Sequence, residues 1–395
     1  LVVQGDNLVV QGDNLTVLAK LAEERPASFA CVYLDPPFNT GRTFEAYRDR
    51  LGAAAWAAMM RPRLALLRDL LAPSGALVAE IDDTELGTLL GLLDEIFGRE
   101  QRLPIVTVVR SAATGHKARN KGPVNVTDYL LIYARDRTRL AVQPLDRPRR
   151  GYDHAYRLFV PNREDAPEAW RFEPLGRTVA VALGFGTVAQ ATRRLGRSAF
   201  ERELAAFALA RPRHVARLAQ PRFEAISVAA REAVRSSRAR PETTVVLTRL
   251  GHPPLYLRGG NRVLFLDRKV RVVDGEATLV EALTNVWDDV PFQGIAAEGG
   301  VRFVRNKKPE RLLMRVLQLF SKPGDWVLDP FLGSGTTAAV AHKMQRRYVG
   351  IEQSEEMVSK ATERLRAVVE GRDARGITRD EACRARRRGG WSSRR

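Results

Sequence analysis

The stretch Trp326-Val327-Leu328-Asp329-Pro330-Phe331-Leu332-Gly333-Ser334-Gly335-Thr336-Thr337 decides the fold. An apolar run ends in an acid, a glycine-rich turn comes next, and the residues after it read as a helix over 337–343. This is the strand–turn–helix unit of an α/β sheet, where ligands bind beyond the carboxyl ends of parallel strands. Gly333 and Gly335 let backbone approach a ligand closely, and the helix start offers unpaired N–H groups. A nucleotide phosphate loop does not match, because no lysine follows the last glycine. A dinucleotide fingerprint does not match either, because its third glycine is missing. Glu352 ends the next strand-like run, 348–351, where a carboxylate can accept both hydroxyls of a ribose. On these residues alone, a tight turn beside an ordinary surface glutamate stays open.

A second turn sits near the other end. Phe29-Ala30-Cys31-Val32-Tyr33-Leu34 reads as a buried strand running into Asp35-Pro36-Pro37-Phe38-Asn39. Two prolines stiffen the turn and remove two donors, so its carbonyls can point outward as acceptors. Asp35 adds a carboxylate, and Phe38 offers a flat face on which a base can stack. Such acceptors suit an exocyclic amine and disperse the positive charge that grows as it attacks an electrophile. A plain loop with a core phenylalanine is the open alternative.

The pattern around these turns alternates. A helix is expected over 56–71, stopped by Pro73-Ser74-Gly75, and a buried strand over 76–81, ending in Asp82-Asp83. A helix over 85–97, closed by Gly98, and strands over 106–109 and 129–133 come after it. The alternation predicts a parallel sheet with helices on both faces. From about 135 the rhythm fades into helices over 200–209 and 225–234 and strands over 243–247 and 262–266. It returns at Lys307 with helices over 309–320 and 354–369. The expected divisions are an extension 1–7, halves 8–135 and 286–371 of one domain, an inserted module 136–285, and a basic disordered tail 372–395. The extension is one half of a literal repeat: Leu1-Val2-Val3-Gln4-Gly5-Asp6-Asn7 equals residues 8–14. The second copy, running into a helix capped by Asn14, is read as structural and the first as frayed. A register slip that seats copy one in the same slot is the alternative.

A chain of 395 residues, 45% hydrophobic and 28% charged, fits a soluble globular protein. No apolar run is long enough to span a bilayer, and the first seven residues lack signal-peptide features. Cys31 and Cys383 lie far apart with no neighbours at metal-ligand spacing, so neither a disulfide nor a metal is expected and a reducing cytoplasm fits. The net charge of +18 points to a polyanionic partner such as nucleic acid. The bland source would be a genome that favours arginine, but the excess is local. Residues 151–260 carry 18 Arg, no Lys and 10 acids, and residues 372–395 carry 9 Arg against 3 acids.

Together the motifs resemble the amino-methyltransferases of DNA. Those that carry the resemblance are Gln11-Gly12-Asp13-Asn14-Leu15, Asp35-Pro36-Pro37-Phe38-Asn39-Thr40-Gly41, Ile81-Asp82-Asp83-Thr84-Glu85, Trp287-Asp288-Asp289, Glu298-Gly299-Gly300, Lys307-Lys308-Pro309-Glu310-Arg311-Leu312-Leu313 and residues 329–337. The order, catalytic turn first and cofactor turn last, resembles the permuted β group, closest to type III modification adenine methyltransferases. The resemblance implies a circularly permuted, Rossmann-like α/β sheet with an inserted mixed α+β target-recognition module. It implies methyl transfer from S-adenosylmethionine to adenine N6 of a flipped base in double-stranded DNA. Cytosine N4 is the alternative; an RNA or protein-amide methyltransferase, or an inactive DNA-binding homologue, is the second.

By the same resemblance Asp35, Pro36, Pro37 and Phe38 are catalytic. Asp13, Asp35, Lys308, Pro309, Asp329, Pro330, Phe331, Gly333, Ser334, Gly335, Thr336, Thr337 and Glu352 hold the cofactor. Asp13 and Lys308 read equally as a cap and a surface charge. DNA contacts are expected from Asn39, from His116 and Lys117 in the basic loop 114–121, and from Arg193, Arg194 and Arg197. The last three lie in a segment that resembles half a helix-turn-helix, with an amphipathic helix pair as its rival. A homodimer, a restriction subunit as partner, and a bacterial cytoplasmic location at the nucleoid complete the expectations.

Overall fold

The structure, a computed structural model, describes residues 2–4, 6–40, 51–112, 122–273, 275–300 and 307–380. It divides into two compact units: Leu1–Leu145 with Leu283–Arg395, and Asp146–Ala282.

Among the described residues the first unit has nine strands: β1 (Val2–Gln4), β2 (Asn7–Gln11), β3 (Phe29–Leu34), β4 (Leu71–Ile81), β5 (Val106–Val109), β6 (Thr127–Ala134), β7 (Val286–Trp287), β8 (Trp326–Asp329) and β9 (Arg347–Glu352). They lie in the order β1-β2-β9-β8-β3-β4-β6-β5-β7. All adjacent pairs are parallel except those of β1 with β2 and of β6 with its two neighbours. The last two strands among the described residues thus sit between β2 and β3, which lie near the start of the chain. From β3 the chain proceeds to β4 on one side, and from β8 to β9 on the other. The boundary between β3 and β8 is therefore a switch point, where the connections diverge and leave a crevice.

Alternation along each strand sends side chains to opposite faces, and helices cover both. On one face Phe29, Val32, Leu34, Leu77 and Leu328 pack against α1 (Asn14–Glu24), α2 (Ala53–Leu70) and α3 (Leu86–Phe97). On the other, Cys31, Ala76, Val78 and Val327 pack against α4 (Glu310–Phe320), α5 (Thr336–Lys343) and α6 (Glu355–Val369). Trp56, Met60, Leu64 and Leu67, at helical spacing, are all fully buried on α2. Each such side chain contributes roughly 1.5–3 kcal/mol relative to exposure.

Several local expectations are corrected. Pro73-Ser74-Gly75 does not separate a helix from a strand but lies inside β4, at a register shift where Phe29 pairs with Leu71 and Cys31 with Ala76. The bulge spares Pro73 a ladder donor. A Cβ at Gly75 would lie 2.7 Å from the Phe29 carbonyl oxygen. The N-cap of α1 is Asp13, which accepts from the Thr16 N–H, and not Asn14. The first copy of the repeat is an edge strand, with Val2 opposite Leu8, while the second occupies the slot beside β9.

The tail expectation also fails for residues 372–380. Ile377 is fully buried and its N–H donates to Glu310 Oε2 at 3.1 Å. Lys343 pairs with Glu310 at 2.7 Å and Asp373 at 2.6 Å. Arg364 reaches Glu310 Oε1 at 2.8 Å. Polar groups hold this segment, so its low apolar content is misleading. Residues 381–395 lie outside the described residues.

The second unit has a six-stranded sheet in the order Val245–Arg249, His252–Arg258, Asn261–Phe265, Val215–Ala219, Leu158–Phe159, Glu173–Pro174, and a three-stranded sheet of Val270–Val273, Glu276–Ala282 and Asp146–Pro148. Every pairing is antiparallel. Part of its arginine content serves this unit's own core: the Arg163 guanidinium lies 4.1 Å from the Trp170 ring centroid and 4.3 Å from that of Phe265.

Glu310 is the common acceptor of two buried cations, and removing one partner leaves charges uncompensated. Glu310→Ala is expected to cost about 3–5 kcal/mol in denaturant unfolding. A loss below about 1 kcal/mol would show that the network contributes little.

Candidate active site

Parallel strands end at one edge, and here nearly every end carries an acid. Asp35 follows β3, Asp329 ends β8 and Glu352 ends β9. Asp128 opens β6, which runs the other way and therefore starts at the same edge. The two turns separated by nearly 300 residues are thus neighbours. Asp329 lies close enough to Asp35 to act on its charge.

The glycine turn is braced by acids. Asp329, 3% exposed, accepts the Phe331 N–H at 3.0 Å. Burial nevertheless pushes its carboxyl up to about 7, against the hydrogen bond from Thr337. Glu352 Oε2 accepts the Gly333 N–H at 2.8 Å and Oε1 the Ser354 N–H at 2.9 Å. Gly335 caps α5 at φ +76°, and a Cβ there would come 3.0 Å from that of Ala361. Only glycine fits both the conformation and the space. Ser334, Thr336 and Thr337 are buried, and Phe331 is half-buried. Pro330 accepts from the Asn14 side chain at 2.9 Å. That residue ties α1 to the turn, a role its reading as a cap concealed. Asp13 is held by Arg63 at 3.0 Å besides capping α1.

The Asp-Pro-Pro turn is only partly as expected. The Pro37 carbonyl does not face outward, because it accepts the Trp56 indole N–H at 2.7 Å. No hydrogen bond to the Pro36 carbonyl occurs among the described residues. Phe38 is half-buried against the core on the α1–α3 side. Asn39 is engaged within the protein: its amide donates to Glu85 Oε1 at 2.6 Å and its oxygen accepts the Leu51 N–H at 2.6 Å.

Lys308 is not a surface charge. Its Nζ lies 3.0 Å from Asp35 Oδ1, 2.8 Å from Glu80 Oε1 and 4.7 Å from the Phe38 ring centroid. The adjacent Pro309 caps α4. Glu80, fully buried in β4, also accepts the Tyr33 hydroxyl. Asp128, 2% exposed, pairs with Arg110 at 3.2 Å. Burial raises the Asp35 and Asp128 carboxyls, with Lys308 opposing. For Lys308 burial works against the ammonium, but Asp35, Glu80 and Asp128 outweigh it and hold its affinity for a proton above normal. Asp35 keeps 24% of its side-chain surface open. Sequence reasoning missed Glu80, Tyr33, Asp128 and Arg110. For Glu80 the signal was there: an acid inside Ala76-Leu77-Val78-Ala79-Glu80-Ile81, all expected to be buried.

Of the expected DNA contacts, Arg193, Arg194 and Arg197 are exposed. They lie on helices Val188–Leu195 and Arg197–Ala210, joined through Gly196 at φ +86°. His116 and Lys117 lie outside the described residues.

The two turns meet at the switch point of one sheet, and comparison with known proteins gives the chain a family. The chain belongs to the DNA methylase family (N6_N4_Mtase), whose model matches residues 29–363. It is 28% identical over 390 residues to the probable type III restriction-modification enzyme HindVI Mod subunit of Haemophilus influenzae, covering 94% of this chain and 51% of that one. It is 26% identical over 332 residues to the type II methyltransferase M.EcaI of Enterobacter cloacae, covering 82% and 61%. The chain thus spans little more than half the length of these relatives. Among solved structures, the cytosine-N4-specific PvuII DNA methyltransferase aligns with a TM-score of 0.46 at 11% identity, over 93% of this chain and 91% of that one.

The raised Asp329 carboxyl carries a pH signature. Its folded-state value, about 7, lies above the unfolded 3.8. The folded state therefore holds the extra proton, and stability falls as pH rises from about 4 to about 7. Asp329→Asn removes this dependence. In unfolding at pH 4.5 and pH 8 the variant should gain on the wild type by about 2–4 kcal/mol across the interval. A constant difference would contradict the assignment.

Proposed function

We propose that this chain transfers a methyl group from S-adenosylmethionine to the exocyclic N6 of an adenine flipped out of double-stranded DNA. The observation that carries the reading is the meeting of the two turns at one switch point. An acceptor set, Asp35 and the Pro36 carbonyl beside the Phe38 ring, stands next to a glycine turn braced by Asp329 and Glu352.

The residues present fit the cofactor. Glu352 offers carboxylate oxygens to ribose hydroxyls, Gly333 and Gly335 give the turn its left-handed backbone, and α5 presents its N-terminal N–H groups to a carboxylate. When bound, S-adenosylmethionine supplies a methyl group on a sulfonium, a leaving group already activated. The chain's task is orientation and charge. Asp35 and the Pro36 carbonyl accept the two amine hydrogens and aim the nitrogen lone pair. Phe38 holds the base by its face. As the nitrogen becomes positive, Asp35 stabilises it and receives the released proton, for which its burial-raised affinity suits it.

The second unit is proposed as the DNA reader, with Arg193, Arg194 and Arg197 on phosphates. A further restriction subunit is the proposed partner, in keeping with the Mod relative. Among the described residues, no helix is long and apolar enough to cross a membrane.

Asp35→Ala should lower methyl transfer at least about 100-fold while leaving cofactor binding within about threefold. Incubation of unmethylated DNA with methyl-labelled cofactor, followed by nucleoside analysis, checks this. N6-methyladenine is expected; N4-methylcytosine would move the substrate to cytosine, and unchanged transfer by the variant would remove Asp35 from the mechanism. Replacing Arg193, Arg194 and Arg197 together by alanine should flatten the log–log salt dependence of DNA affinity by about 2–3. An unchanged slope would place the phosphate contacts elsewhere.

A further inference from the structure

Lys308 makes the two interactions that the proposed base would need. Its ammonium is 3.0 Å from Asp35 Oδ1 and 4.7 Å from the centroid of the Phe38 ring. A flipped base requires that carboxylate for its amine and that ring for its face. A base that takes the same carboxylate oxygen and the same face of the ring displaces the ammonium, so Lys308 gives way as it enters. An ammonium on a side chain only 13% exposed that leaves one carboxylate needs another anion within reach.

Glu80 is that anion. Its Oε1 already lies 2.8 Å from Lys308 Nζ, and its Oε2 accepts the hydroxyl of Tyr33, which is 1% exposed. Glu80 has no exposed surface of its own, so it cannot touch a substrate. Packing does not call for an acid here either, since Val78, two residues away on the same face of the strand, is apolar and fully buried.

Resting on the methyl-transfer reading, we propose that Glu80 is a positioning residue: it is the carboxylate to which Lys308 withdraws when the target amine takes Asp35. Between turnovers Lys308 bridges both acids, neutralises Asp35 and covers Phe38. On base entry the bridge opens at Asp35 and holds at Glu80. The acceptor is thereby freed without stranding a buried ammonium.

The charged and titratable groups facing this bridge are Tyr33 and Asp35 from β3 and its turn, Lys308 ahead of α4, Asp128 on β6 with Arg110 after β5, and Asp329 at the end of β8. The negative charge of Glu80 is among the influences that raise the Asp35 carboxyl. Loss of that charge therefore shifts Asp35 downward.

The test uses the full chain with methyl-labelled S-adenosylmethionine and unmethylated bacterial genomic DNA. Glu80→Gln keeps shape and the Tyr33 contact but removes the charge, so Lys308 stays on Asp35. The expected result is a fall of about tenfold in kcat/KM for DNA, mostly through KM. The acidic limb of the kcat/KM profile should also move to lower pH. In a Lys308→Met background the same substitution should cause no further fall. An unmoved limb with unchanged kcat/KM, or an equal fall in both backgrounds, overturns the role of Glu80 while methyl transfer by the wild type stands. An inactive wild type overturns the methyl-transfer reading, and this role with it. Should Glu80→Gln fail to fold, Glu80→Asp draws the carboxylate back from Lys308 by one methylene: a severalfold rise in KM for DNA that vanishes in the Lys308→Met background supports the proposal, and no rise overturns it.

Discussion

A carboxylate taken out of water must find a cation or a set of donors, and several acids at the carboxyl edge of this sheet do so. Asp35 and Glu80 share Lys308, Asp128 takes Arg110, and Asp329 and Glu352 are met by backbone N–H groups of the turns they brace. The edge is thus held in order by the groups proposed to do its chemistry. Behind the glycine turn a second balance operates: Arg364 joins Glu310 to Thr336, at the start of α5, and Lys343 joins Glu310 to Asp373. The turn is fixed by charge on one side and by packing on the other.

Much of the fold was legible because periodicity and turn chemistry agreed. The strands around Val32 and Leu328 are short apolar runs bounded by turn residues, and the helices over 309–320 and 354–369 differ from the observed ones by a residue at one end. Boundaries went astray where a special local reason overrode the pattern. Pro73-Ser74-Gly75 looks like a terminator but is absorbed in a bulge. Residues 372–380 look like tail but are anchored by polar bonds that composition does not register.

The candidate site was legible in its loops and opaque in its supports. Asp35, Asp329 and Glu352 stand at ends of apolar runs, where a sequence pattern isolates them. Lys308 owes its meaning to Asp35 and Glu80, which are more than 200 residues away in sequence. No local pattern reveals such a pairing. Asp128 sits at the edge only because β6 runs antiparallel, and strand direction is not written in its own residues. Outward carbonyls were expected at both prolines; Trp56, a residue of the following helix, takes one of them.

The chain order follows from the same topology. Inserting β8 and β9 between β2 and β3 brings the latest motif beside the earliest, and the methyl-transfer reading depends on that meeting. A co-crystal structure with the methyl-donor analogue sinefungin tests it most directly. The account predicts the ribose hydroxyls on Glu352 and the amine that replaces the methyl group turned toward Asp35. An analogue seated elsewhere, or one whose amine faces away from Asp35, would contradict it.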